Sequence, residues 1–145
     1  MANQAALSHI GIAVSDLPRL QSLFDLLGLQ STHQEAVPEQ GVVTHFLPLP
    51  REQASLELLE VSDPGGTVAK FIQKRGPGIH HLAFQVAQGQ LDILCGRLRQ
   101  AGYRLVYENP KAGAHGMRMN FVHPSSAGGI LIELMESQLK GGTGA

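Results

Sequence analysis

The sequence predicts an α+β protein built from two copies of one βαβββ unit, and three observations carry that prediction. The opening segments SHIGIAV (Ser8 to Val14) and HHLAFQV (His80 to Val86) share one pattern. The closing segments LELLE (Leu56 to Glu60) and IELME (Ile132 to Glu136) share another. Between opening and closing segments, each half carries one stretch of apolar residues at helical spacing. Repeat one then runs over about 7–62 and repeat two over about 79–136, within a single domain of residues 1–145.

Met1 to Ala6 read as a short leader. Leu7 to Val14 reads as a strand, with Ile10, Ile12 and Val14 on its apolar face and His9, Gly11 and Ala13 on the other. Ser15-Asp16 followed by Pro18 signals a helix start, because the missing proline N–H costs nothing in a first turn. Leu17, Leu20, Leu23, Phe24 and Leu27 continue at helical spacing, and Gly28 supplies the stop. Gly41 to Phe46 matches Gly116 to Phe121 at an offset of 75. A short helix over Thr67 to Arg75 is expected between the halves, ended by Gly76-Pro77-Gly78.

The second half repeats the plan. Leu82, Phe84 and Val86 form the apolar face, leaving His81, Ala83 and Gln85 opposite, while His80 alternates onto the apolar face or rim. Leu91, Leu94, Cys95 and Leu98 make a helical stripe that Gly102 closes, which assigns Cys95 to the core. Residues 137–145 read as a flexible tail. In each opening strand the apolar face has to meet its helix, so the histidine face points the other way. Small residues there leave room. The expected result is a curved, partly open sheet around a central metal cavity, helices outside.

Bulk composition excludes several classes. At 145 residues, with 43% apolar and 16% charged residues, the chain has the balance of one soluble globule. A net charge of −1 without a basic run speaks against nucleic acid or an anionic membrane as partner. No apolar run approaches spanning length, and no export or organelle address is visible, so the expected location is cytoplasmic.

The candidate chemistry lies in the symmetry. His9 and His81 are 72 residues apart, and Glu57 and Glu133 are 76 apart, each pair at matching positions of the two halves. Imidazole nitrogen and carboxylate oxygen suit a borderline divalent ion such as Zn²⁺, Co²⁺, Ni²⁺, Mn²⁺ or Fe²⁺. Two His with one or two Glu leave a coordination position open, as a catalytic site needs. A lone strand His or Glu is ordinarily a surface group, but four in one register point to a metal site. His33, His45, His80, His115 and His123 have no such equivalents and are assigned no ligand role.

Longer segments carry a resemblance. They are SHIGIAVSDL (Ser8 to Leu17), PEQGV (Pro38 to Val42), VAKFIQKRGPGIHHLAF (Val68 to Phe84), PKAGAHG (Pro110 to Gly116), FVHP (Phe121 to Pro124) and GGILIELME (Gly128 to Glu136). In this order the chain resembles the methylmalonyl-CoA epimerases of the vicinal oxygen chelate superfamily. That resemblance implies the βαβββ fold, metal ligands His9, His81 and Glu133 with position 57 as the fourth, and a homodimer. It also implies an acyl-CoA substrate and a place in propionate metabolism. The implied reaction interconverts the 2R and 2S forms of methylmalonyl-CoA: C2 is deprotonated to an enolate stabilised by a divalent metal ion, then reprotonated on the opposite face.

The sequence departs from part of that family in one respect. Some members carry a glutamate in the strand after EQGV, where this chain has Thr44, and a threonine hydroxyl is no general base near neutral pH. Glu57 and Glu133 are therefore the expected pair of bases, similar to the glyoxalase I arrangement, with His115 next in line. Lys74, Arg75, Lys111 and Arg118 are candidate phosphate contacts. Lactoylglutathione lyase, an Fe²⁺ ring-cleaving oxygenase and a protein that only sequesters a small ligand are the alternatives.

Overall fold

The computed structural model describes residues 4–137. Its strands are β1 (Ala6–Val14), β2 (His33–Val37), β3 (Val42–Leu47), β4 (Ser55–Val61), β5 (Gly78–Gln85), β6 (Lys111–Ala112), β7 (Met117–Val122) and β8 (Leu131–Ser137), and its helices are α1 (Leu17–Leu26), α2 (Thr67–Arg75) and α3 (Leu91–Gln100). Read in order, β1-α1-β2-β3-β4 and β5-α3-β6-β7-β8 are the two βαβββ repeats, with α2 between them. β7 follows β3 at the offset of 75, and the bounds of β8 follow those of β4 at 76. Ala6 opens β1 and so is no leader residue, and Ser137 closes β8 and so is no part of the tail. The tail beyond it and Met1 to Asn3 lie outside the described residues.

The chain divides into two compact units, one of residues 9–81 and one of the stretch up to Ser8 with residues from 82 onward. In the first unit the strand order is β2-β3-β4-β1, with the first half of β5 beside β1. The β1–β4 pair is parallel and sets Gly11 opposite Glu57. β3 runs antiparallel to β4, with Phe46 opposite Glu57 and Thr44 opposite Leu59.

Both faces of this sheet are packed. On one, Val14, Leu47 and Leu58 are buried against Ile12, Leu56 and the α1 residues Leu17, Leu20 and Phe24. Asp16 starts α1 by accepting the Arg19 N–H at 3.2 Å, as the start signal predicts. On the other face α2 packs Val68, Phe71 and Ile72 onto Ala13, Val42 and Leu59. The histidine face is thus not left bare along its whole length. Helix α2 covers its Ala13–Leu59 end, and His9 and Glu57 lie nearer its other end.

In the second unit β8-β7-β6 follow the second half of β5. Leu91 and Cys95 of α3 are buried with Val122 and Leu134, flanked by Phe84, Val86, Leu94 and Leu98, so the expected apolar face does meet its helix. Burial pushes the Cys95 thiol above its usual range, in keeping with a core residue. The strand between α3 and β7 is only two residues long, and ahead of it Leu105 and Val106 also pair with β7. No helix among the described residues is long and apolar enough to cross a membrane.

Candidate metal centre

His9, Glu57 and His81 converge within the unit of residues 9–81, offering donor atoms that all lie within 4.8 Å of one another. Alternation along β1 puts His9 on the same face as Gly11. Because Gly11 and Glu57 are register partners, the Glu57 side chain rises beside the His9 ring. Its Oε2 lies 3.1 Å from His9 Nε2, and His9 Nε2 lies 3.1 Å from His81 Nε2. The two rings meet edge to face, at 87°.

Gly11 makes this possible. A Cβ there would overlap Cε1, Nδ1 and Nε2 of His81, so the imidazole occupies the space a side chain would fill. At Gly11, then, the histidine face is a cradle for the second histidine.

Charge and burial fit a cation. His9 and His81 are buried, and the Glu57 side chain is only 15% exposed. A carboxylate in so dry a place needs a positive partner. Two imidazole nitrogens and a carboxylate oxygen turned toward one another are an arrangement that one shared cation would satisfy. Two nitrogens and an oxygen are donors for a borderline divalent ion. His9, Glu57 and His81 would hold it.

The other expected residues fall as follows. Glu133 lies in β8 of the second unit, half-buried and opposite Phe121 in the register. Thr44 is buried in β3. His115 is exposed, in a single helical turn with left-handed backbone, φ 57° and ψ 29°. Arg118 is ion-paired: Nη1 reaches Glu136 Oε1 at 2.7 Å and Asp92 Oδ2 at 3.0 Å. Lys111 lies over the Tyr107 ring at 4.3 Å and Arg75 is 6.0 Å from the Phe71 ring. A cavity of about 700 Å³ between α1, β4 and α2 is lined by Asp16, Glu60, Val61 and Ile72 among others and includes none of the three clustered residues.

One contact escaped sequence reasoning. His80 Nδ1 lies 2.9 Å from His81 Nδ1, although neighbours on a strand leave the backbone on opposite faces. The HH pair itself was the only signal.

The chain matches the profile of the Glyoxalase/Bleomycin resistance protein/Dioxygenase superfamily over residues 8–121. It is 44% identical to methylmalonyl-CoA epimerase from Mycobacterium tuberculosis, whose crystal structure superposes with a TM-score of 0.83 over 92% of this chain and 89% of that one. The ethylmalonyl-CoA/methylmalonyl-CoA epimerase of Cereibacter sphaeroides is 36% identical over 133 residues, 88% of this chain and 95% of that protein. A variant of the Streptomyces coelicolor methylmalonyl-CoA epimerase, in complex with 2-nitronate-propionyl-CoA, is 32% identical with a TM-score of 0.79 over 92% and 95% of the two chains.

Proposed function

This chain belongs to the methylmalonyl-CoA epimerase family of the glyoxalase/bleomycin resistance protein/dioxygenase superfamily, and from that premise we propose that it interconverts the 2R and 2S epimers of methylmalonyl-CoA. It is an enzyme of the racemase and epimerase class. The observation that carries the reading is the cluster of buried His9 and His81 with half-buried Glu57. A divalent ion held there supplies positive charge where an enolate develops its negative charge. Co²⁺, Mn²⁺, Zn²⁺ and Ni²⁺ all suit the donor set.

Glu133 completes the proposed site as the fourth ligand. The support is the repeat: Glu133 stands to β8 as Glu57 stands to β4. Inversion needs one proton acceptor and one donor on opposite sides of a planar C2. Glu57 and Glu133 are the proposed pair, and the burial of a threonine at position 44 supports Glu57 in that role by leaving no carboxylate there. The acyl-CoA handle positions the reacting carbon, using remote binding energy for orientation. Homodimeric assembly and action in the cytoplasm belong to the same proposal, the dimer resting on the family resemblance and testable by sedimentation velocity.

The test is to strip the protein with a chelator, reload it with Co²⁺ and incubate it with one epimer in D₂O. Deuterium entry at C2 with inversion, lost on chelation, is the expected result. Metal uptake without exchange would sink this substrate. Glu57→Gln and Glu133→Gln should each lower inversion by roughly 10²–10⁴-fold. Normal turnover by a metal-loaded Glu57→Gln protein would overturn the two-glutamate assignment.

A further inference from the structure

We propose that His80 is a positioning residue for the metal centre: its Nδ1 accepts the Nδ1–H of His81, which leaves His81 Nε2 unprotonated and directed at the cluster. The proposal rests on the metal reading above.

The two ring nitrogens of His81 face different partners. Nε2 is 3.1 Å from His9 Nε2, on the side of the carboxylate of Glu57. Nδ1 is 2.9 Å from His80 Nδ1. A neutral imidazole has one N–H and one lone pair. Ligation through Nε2 uses that lone pair, so the proton sits on Nδ1 and needs an acceptor. Metal-ligating histidines characteristically donate this second N–H, and the acceptor sets both tautomer and ring orientation. Here a nitrogen of the preceding residue is in reach, and it accepts when His80 carries its own proton on Nε2.

His80 is held for this task. Its ring packs edge-on against Phe71 of α2, with centroids 4.9 Å apart at 75°, and the residue is half-buried. His81 is confined on its other side by the missing side chain of Gly11. A proton relay of glutamate, histidine and histidine is not required. The role is geometric, and His80 stands outside the three-residue cluster.

Two isosteric variants separate this role from packing. His80→Leu keeps the bulk against Phe71 and loses the acceptor, whereas His80→Asn places an oxygen near the position of Nδ1. Co²⁺ titrations followed by visible absorbance should show the leucine variant binding roughly 10–100-fold more weakly, with the asparagine variant close to wild type. ¹⁵N NMR of the Zn²⁺-loaded wild type should find His81 protonated at Nδ1 and ligating through Nε2. Equal affinities for the two variants, or a His81 proton on Nε2, would overturn the proposal. Should the leucine variant fail to fold, the wild-type spectrum alone decides. A wild type that takes up no Co²⁺ would instead remove the metal reading, and this inference with it.

Discussion

Gly11 shows how one residue governs the candidate site. Its backbone is ordinary strand, so glycine is not there for conformational freedom; the ring of His81 lies where a Cβ would stand. Gly11→Ala should therefore displace His81 and weaken Co²⁺ binding by at least about 10-fold, at a cost in stability of roughly 1–3 kcal/mol from overpacking. Titration with Co²⁺ beside denaturant melts would check both, and unaltered affinity would show that His81 is not held as described. The pairing of half-buried Glu57 with His9 is the second decision at this scale. The alternation of LELLE with its apolar neighbours made the Glu57 side of the strand legible. The distances that join Glu57 to His9, and His81 to His80, were not, since they depend on rotamers and on strands that meet across long stretches of chain.

Helix termini illustrate the same division at the scale of elements. Asp16 caps α1 from the adjacent residue, and the signal was readable. Helix α3 has no side-chain cap of its own at Gln90. Its Leu91 N–H donates instead to Oε2 of Glu136, a buried carboxylate on β8, at 3.0 Å. The other oxygen of Glu136 accepts from Arg118, which also clasps Asp92 in the first turn of α3. Glu136→Ala should cost about 2–4 kcal/mol, measurable by urea unfolding, because it strips both a helix cap and one of the two carboxylate partners of a half-buried guanidinium. Asp92 gives a smaller and pH-dependent effect. Its hydrogen bond to Arg118 holds its carboxyl below the usual range. The stabilisation is therefore complete above the ordinary carboxylate pKa of about 4 and disappears as pH falls through the lower folded value. Since Asp92 is 61% exposed, solvent screening limits the gain at neutral pH to about 1 kcal/mol or less. Asp92→Asn should melt below wild type at pH 7, and the two curves should converge in strong acid.

For the molecule as a whole, binding of the proposed metal ion would be linked to folding. An ion that binds only the folded chain adds about 2.7 kcal/mol at 100 times its Kd, which for a chain of this size raises Tm by roughly 5–10 °C. Chelation should reverse that rise, and His9→Ala or His81→Ala should abolish it; a metal-dependent shift that survives both substitutions would place the ion elsewhere. The sequence by itself determined the α+β class, the two repeats, the bounds of α2 and a set of four candidate ligands that includes the three residues that cluster, because periodicity and duplication record which face of an element each side chain leaves. Tertiary structure decided what those faces meet: α2 over Ala13 and Leu59, Arg118 on Glu136 and Asp92, and the His81 ring over Gly11 with His80 at its far nitrogen. Contacts of that kind join residues distant in the chain, or turn on a rotamer, and neither leaves a mark in local pattern.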